Sequence, residues 1–278
     1  NLVISARANN HDLHTSQLQL QSALARLGGQ KAQYLPQGAV AVDATRSSTG
    51  NVNTRQSEAN VNLDWQLDLF GKITALVDAA NAGAMSQAEQ LRALHIEVVT
   101  SVVKGFVSFQ GNKQKQQIIN LQIEALEQSI AVLRARVEEG VANELDLNRT
   151  LAQLKQQQAL LPDIEYAQFR DLATLATLTG QLPADLTLVD EQALFEHAFT
   201  VSLATPSDAI ALRPDISQAL FEFSQANSLS VAASKALLPD ISLTAFAGVL
   251  SLDNNQLSDT TQQWQVAIIE LPCVIGAT

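Results

Sequence analysis

The sequence predicts an α+β membrane protein with an internal structural repeat, in which long coiled-coil helices are joined to paired strands. Three observations predict this class. The order helix, strand, strand occurs twice along the chain, one strand alternates strictly between apolar and polar residues, and a very long helical pattern follows that strand. None of these patterns would predict this fold class by itself.

The repeat is the broadest of the three features. Segments 12–36 and 215–239 each run from an aspartate through a helical pattern to a Leu-Pro pair, and two strand-like runs follow each pair. Internal repetition of this kind predicts a duplicated architecture. We therefore predict a first repeat at 1–213, with a helix, a β-hairpin (37–69), a long helical hairpin (72–180) and an equatorial segment (181–213), and a truncated second repeat at 214–278, with a helix and a β-hairpin (240–272).

The clearest strand is 59–69, whose odd positions are apolar and whose even positions are polar. Alternate side chains of a strand point to opposite faces, and a tilted strand crosses a bilayer in about 9–11 residues. Alone, the pattern fits a strand of a soluble sandwich better, but its recurrence in a second copy favours a membrane strand. We expect lipid-facing side chains at Val61, Leu63, Trp65 and Leu67, and lumen-facing side chains at Asn60, Asn62, Asp64 and Gln66.

The number of strands requires assembly if they span a membrane. The two predicted hairpins supply four strands, with a polar loop expected at 46–55 in the first hairpin. The smallest barrels have about eight strands, and an open sheet edge cannot face lipid. Several chains would therefore have to share one β-barrel.

The helical pattern extends from Lys72 to Val137 without a proline, and its apolar residues recur at seven-residue spacing. This spacing predicts a coiled coil, which at about 1.5 Å per residue would be on the order of 100 Å long. Gly140 is expected to end this helix, and Asn143 to cap a returning helix. Pro162 predicts a kink or break within the returning helix.

Composition and local motifs argue against several functions. With 17 basic and 28 acidic residues the net charge is −11, which argues against nucleic acid as a partner. No acid–base pair, phosphate loop or activated nucleophile is recognisable, so we predict no enzymatic activity and no cofactor. His11 and His14 could hold a metal with Asp12, but a polar helix start is the simpler reading. Cys273 has no nearby basic residue that would activate it.

A family resemblance rests on the segment Trp65-Gln66-Leu67-Asp68-Leu69-Phe70-Gly71-Lys72. It resembles the strand-to-helix junction of the outer membrane factor family, the TolC-like outer components of RND-type tripartite efflux pumps and type I secretion systems. Four further segments resemble family motifs in the same order, at 140–147, 172–183, 213–216 and 238–243. Together they cover nearly the whole chain.

The resemblance implies a homotrimer in the outer membrane of a Gram-negative bacterium, with a shared β-barrel in lipid and a coiled-coil helical barrel extending into the periplasm. It implies a passive conduit for drugs, toxic compounds or exported protein, fed by a periplasmic adaptor (membrane fusion) protein and an inner-membrane pump. The implied adaptor-binding tip is Gly140, Val141 and Ala142.

Two departures accompany the resemblance. The segment 271–276 is a degraded form of the family's Pro-Leu-Phe-x-Gly-Gly run, and the second helical hairpin would begin where the sequence stops. We therefore expect this chain to be part of a longer protein. The alternative is a soluble, elongated coiled-coil scaffold or adaptor, which would need neither the strand alternation nor the duplicated hairpins.

Overall fold

A computed structural model of the chain describes residues 2–50, 52–186, 188, 205, 210, 212–254 and 258–271. The described elements form a helix-rich α+β fold with a four-stranded sheet, which agrees with the predicted α+β class. In chain order they are α1 (Leu2–Asn9), α2 (His11–Ala32), β1 (Gln37–Thr49), β2 (Val52–Leu67), α3 (Lys72–Glu138), α4 (Glu144–Gln158), α5 (Leu161–Thr179), α6 (Pro214–Lys235), β3 (Asp240–Asn254) and β4 (Ser258–Leu271).

The chain divides into two compact units. The hairpin unit comprises Asn1–Ser16 and Leu91–Thr205, and the sheet unit comprises Gln17–Gln90 and Pro206–Thr278. Helices α2 and α3 each contribute residues to both units. None of the helices within the described residues combines the length and the apolar character needed to cross a membrane.

The sheet unit is built on an antiparallel sheet with strand order β1-β2-β3-β4. The predicted polar loop at 46–55 is wrong in extent, because Arg46 pairs with Arg55 and the ladder continues to Thr49 and Val52. Backbone pairing does not depend on apolar side chains, and Gly50 adopts a φ of 61° that a tight hairpin turn requires. A small core of Leu27, Ile73 and Val77 packs where α2 meets the start of α3.

The hairpin unit contains the long helix and its return. Helix α3 has 67 residues, which confirms the predicted uninterrupted helix. The helix ends at Glu138, and the left-handed conformation of Gly140 just beyond it, with a φ of 73°, lets the amide of Val141 donate to the carbonyl of Arg136 at 2.9 Å. The Asn143 side chain accepts a hydrogen bond from the amide of Leu145 at 2.9 Å and so caps α4 as predicted.

The returning helix is divided, as its proline predicted. Helix α4 ends at Gln158 and α5 begins at Leu161, so Pro162 lies in the first turn of α5, where no amide donor is needed. The core of this unit is a cluster of fully buried side chains contributed by four helices. Its members are Ala6, Leu13, Val98, Val102 and Leu175.

Candidate functional site

The sheet has one mainly polar face and one face that is apolar except toward the β1–β2 turn, where Arg46 pairs with Arg55. In an antiparallel pair, directly opposed residues point to the same face, so the register defines each face across all four strands. One cross-strand row joins Val40, Val61, Ala247 and Trp264. Neighbouring rows on the same face add Val42, Val249, Leu63, Ala245, Val266, Trp65, Leu243, Ile268, Leu67 and Ile241.

The apolar face is unusually exposed for a protein surface in water. Trp264 is 81% exposed and Ile268 is 75% exposed in the single chain. Contiguous apolar patches of this kind mark a surface that contacts lipid or another protein. Of the residues predicted to face lipid, Val61 and Leu63 are exposed, whereas Trp65 and Leu67 are half-buried. The Trp65 indole donates a hydrogen bond to the carbonyl of Tyr34 at 2.9 Å, near the end of α2.

The predicted lumen-facing residues lie together on the opposite face. Asn62 donates to the Asn60 side chain at 3.0 Å, and Asn60 donates to the Glu58 carboxylate at 2.9 Å. These side chains are two residues apart along β2, so the chain of hydrogen bonds follows a single face. Asp64 and Gln66 continue the same row. Which face meets lipid and which meets water stays a prediction at this point.

The polar face has a close approach of two strands where Asn60 pairs with Gly248. A Cβ atom on Gly248 would lie only 2.9 Å from the Cβ of Asn60, whereas directly opposed Cβ atoms are ordinarily about 4.5–5.5 Å apart. The missing side chain at Gly248 allows this approach, and glycine within a strand commonly marks a place where another group comes close. A larger residue at position 248 would therefore disturb the pairing of β2 with β3.

Both edges of the described sheet lack a partner strand within the described residues. Strand β1 pairs only with β2, and β4 pairs only with β3. Because each successive strand reverses direction, β1 and β4 run antiparallel to each other. Strand β4 of one copy can consequently pair with strand β1 of another copy in the same antiparallel geometry that holds the sheet together.

The junction from β2 to α3 is fixed by a capping carboxylate. Asp68 accepts hydrogen bonds from the amide of Ile73 at 2.9 Å and from the amide and hydroxyl of Thr74 at 2.8 Å and 2.6 Å. Partial burial acts to raise the pKa of Asp68, but these hydrogen bonds and the charge of Lys235 together outweigh it and lower the pKa. Gly71, with a φ of 75°, makes the turn into the helix.

An ion pair holds this junction against β3. The Nζ of Lys72 lies 2.7 Å from Oδ2 of Asp240, the first residue of β3, and the Nζ of Lys235 donates to the carbonyl of Gly71 at 3.2 Å. Sequence reasoning missed both contacts. One sequence signal could have suggested the ion pair. Lys72 begins the long helix just after β2, and Asp240 begins β3 just after the Leu-Pro pair.

The predicted adaptor tip is a solvent-exposed turn in the hairpin unit. Val141 is 71% exposed, Gly140 is exposed and Ala142 is half-buried. Glu138, Glu139 and Glu144, which flank the turn, are also exposed. The turn thus presents a small apolar centre bordered by carboxylates, while its docking role stays a prediction.

A buried polar cluster between α3 and α5 was not predicted. The Asp171 carboxylate, in a residue only 7% exposed, accepts hydrogen bonds from the hydroxyl of Ser108 at 2.6 Å and from the side chain of Asn112 at 2.9 Å. Arg170 approaches the other carboxylate oxygen at 3.6 Å. The sequence signal was the interruption of the apolar seam at Asn112, one helical turn beyond Ser108.

The weak metal and nucleophile candidates gain no support. His14 Nε2 lies 3.0 Å from the carbonyl of Ala8, and no group of three or more His, Cys, Asp or Glu side chains able to hold a metal occurs within the described part of the chain. Cys273 lies outside the described residues.

A sheet with an exposed apolar face and a mainly polar face, continued by a very long helix, is typical of membrane channel-forming proteins. The family model for outer membrane efflux protein matches residues 2–181, and the chain belongs to the outer membrane efflux protein family. The predicted membership is confirmed, and the family is one of transport proteins that reside in the outer membrane of Gram-negative bacteria.

Individual relatives agree with this membership. The chain is 29% identical over 261 residues to the toluene efflux pump outer membrane protein TtgF of Pseudomonas putida, covering 90% of this chain and 54% of the relative. It is 28% identical over 268 residues to the outer membrane protein OprJ of Pseudomonas aeruginosa, covering 93% and 56%. The chain thus spans about half the length of the curated relatives it matches.

Solved structures support the fold. The open state of the MtrE outer membrane channel of Neisseria gonorrhoeae superposes with a TM-score of 0.84 at 20% identity, covering 99% of this chain and 63% of that one. At this level of identity the likeness concerns the fold alone.

Proposed function

We propose that the full-length protein is the outer-membrane channel of a tripartite efflux or type I secretion system and acts as a passive conduit across the periplasm and outer membrane. The observation that carries this proposal is the two-faced sheet, whose exposed apolar face suits lipid and whose polar face suits water. Outer-membrane barrels place apolar residues outward and polar residues inward.

Assembly follows from the two open edges. Four strands are too few to close a barrel, since the smallest have about eight, and edge strands β1 and β4 offer antiparallel pairing to neighbouring copies. The number of copies, three, is taken from the family resemblance. In the proposed homotrimer, Val61, Leu63, Trp65 and Leu67 face lipid and Asn60, Asn62, Asp64 and Gln66 line the lumen, with the helices forming a shared coiled-coil barrel.

The proposed partners are a periplasmic adaptor protein and, through it, an inner-membrane pump. The exposed turn at Gly140, Val141 and Ala142 supports docking of the adaptor, because a small apolar turn allows another helical hairpin to approach its backbone. The cargo class follows the relatives, which are named for the efflux of toluene and antibiotics. We propose no catalytic role and no nucleic-acid partner, and we propose that the repeats divide at 213/214.

Cysteine labelling of the full-length protein in outer-membrane vesicles tests the central assignment. In a Cys273→Ser background, Asn62→Cys is expected to react with a water-soluble maleimide, whereas the adjacent Leu63→Cys is expected to be shielded by lipid. Both positions should react equally after unfolding, which controls for intrinsic reactivity. Labelling of position 63 with protection of position 62 would overturn the assignment of the two faces.

A further inference from the structure

The polar face of the sheet contains an apolar interruption along β3. Phe246, Leu250 and Leu252 lie on this face because the register pairs them with Asn62, Glu58 and Gln56 of β2. On the other side they oppose Gln265, Thr261 and Asp259 of β4. We call Phe246, Leu250 and Leu252 the β3 track. It is a stripe of apolar side chains bordered on both sides by polar ones.

The Phe246 ring makes this stripe continuous. A Cβ atom on Gly248 would lie 3.0 Å from Cζ of Phe246, so the ring extends along the strand and covers the glycine. The ring therefore spans the gap between its own position and Leu250. Phe246 is half-buried, and Leu252 is 39% exposed, so the track presents apolar surface on the polar face. Among the described strand residues, Phe246 is the one aromatic residue on this face.

The charges beside the track have one sign. Glu58 and Asp259 border it directly, and Asp43 and Asp64 lie on the same face. The described strands have two basic residues, Arg46 and Arg55, and these pair with each other on the opposite face. An apolar stripe among carboxylates is complementary to a molecule that carries both an apolar group and a positive charge.

We propose that the β3 track is a binding surface for the apolar part of amphipathic cations that pass through the channel, with the neighbouring carboxylates attracting their charge. This inference rests on the proposed channel function, which places the polar face in the lumen. Contact with an aromatic ring adds a favourable interaction that a purely polar wall would not supply. The track thus selects among cargo molecules of equal charge by their apolar groups.

Single-channel recording of the full-length protein in planar bilayers tests the proposal with two cations of one charge. Benzyltriethylammonium carries an aromatic group and tetraethylammonium does not. We expect the wild-type channel to bind the benzyl compound more tightly, seen as longer interruptions of the ion current. Phe246→Ser should weaken that binding by about fivefold and leave tetraethylammonium unchanged, since the lost contact involves the aromatic group.

The control variants lie on the same face. Gln265→Ser removes a side chain directly opposite Phe246 and should not change the preference, whereas Phe246→Leu should retain most of it. Leu250→Ser provides a second test in case Phe246→Ser does not assemble. A conducting wild-type channel that binds both cations equally would overturn the track alone. A wild-type protein that forms no ion-conducting oligomer would overturn the channel function and the track together.

Discussion

The two units of this chain differ in which side chains they expose and which they bury. In the sheet unit large apolar residues such as Trp264 and Ile268 lie at the surface. In the hairpin unit the apolar residues Val102 and Leu175 are buried, and so is the carboxylate of Asp171. The hairpin unit has a closed core of apolar side chains, whereas the apolar face of the sheet unit is exposed in the single chain, as the proposed contact with lipid requires. The two units are thus proposed to meet different solvents.

The largest expected effect is on the apolar face. Leu63→Arg should destabilise the assembled protein in lipid by about 2–4 kcal/mol if the side chain lies near the middle of the bilayer. Asn62→Arg, one residue away on the polar face, should cost much less because water can solvate its charge. Guanidinium unfolding of the full-length protein from lipid vesicles measures both variants. Equal losses at the two positions would remove the distinction between the faces.

The next effect concerns the buried carboxylate of the hairpin unit. Asp171→Ala should lower the free energy of unfolding by about 1–3 kcal/mol, because Ser108 and Asn112 lose the acceptor of their hydrogen bonds. Glu165→Ala on the same helix removes a carboxylate whose hydrogen bond from Gln116 is exposed, and it should cost less than about 0.5 kcal/mol. Thermal unfolding followed by circular dichroism compares the two. A similar shift in both variants would show that burial of Asp171 contributes nothing.

The smallest effect lies at the junction of strand and helix. Asp68→Ala should cost about 1 kcal/mol at neutral pH, as expected for loss of a helix cap. The pKa of Asp68 is lowered in the folded protein, so its ionised form stabilises the fold above the ordinary value of 3.8, and this contribution is lost as the pH falls through the folded pKa. The stability difference between wild type and Asp68→Asn should therefore shrink on acidification. A difference that grows below about pH 4 would reverse the sign of this linkage.

Local patterns allowed much of the fold to be predicted. The alternation at 59–69 reported the two faces of β2, and the positive φ of Gly140 and the cap at Asn143 followed from side-chain chemistry that acts within a few residues. The uninterrupted helix α3 was recognisable because it contains no proline and its apolar residues recur at seven-residue spacing along most of its length. Each of these signals is contained in a short stretch of sequence.

The features that were missed depend on residues that are distant in sequence. The carboxylate of Asp171 meets Ser108 only when α3 and α5 are packed together, and Lys72 meets Asp240 only when the two hairpins share a sheet. The polar segment 46–55 was misread as a loop because hairpin pairing is a backbone property that side-chain polarity does not report. The close approach at Gly248 likewise requires the partner residue Asn60 to be known.

The pairing of β2 with β3 has a consequence for the order of folding. Leu67 pairs with Ile241, so the long helical hairpin lies between these partners in sequence. The β1–β2 and β3–β4 hairpins close short loops and can form early, whereas their union must wait for a far longer segment to bring them together. During that interval the exposed apolar strands and their unpaired edges are prone to aggregation. The joining of β2 with β3 is therefore the folding step whose speed decides how long these surfaces stay open.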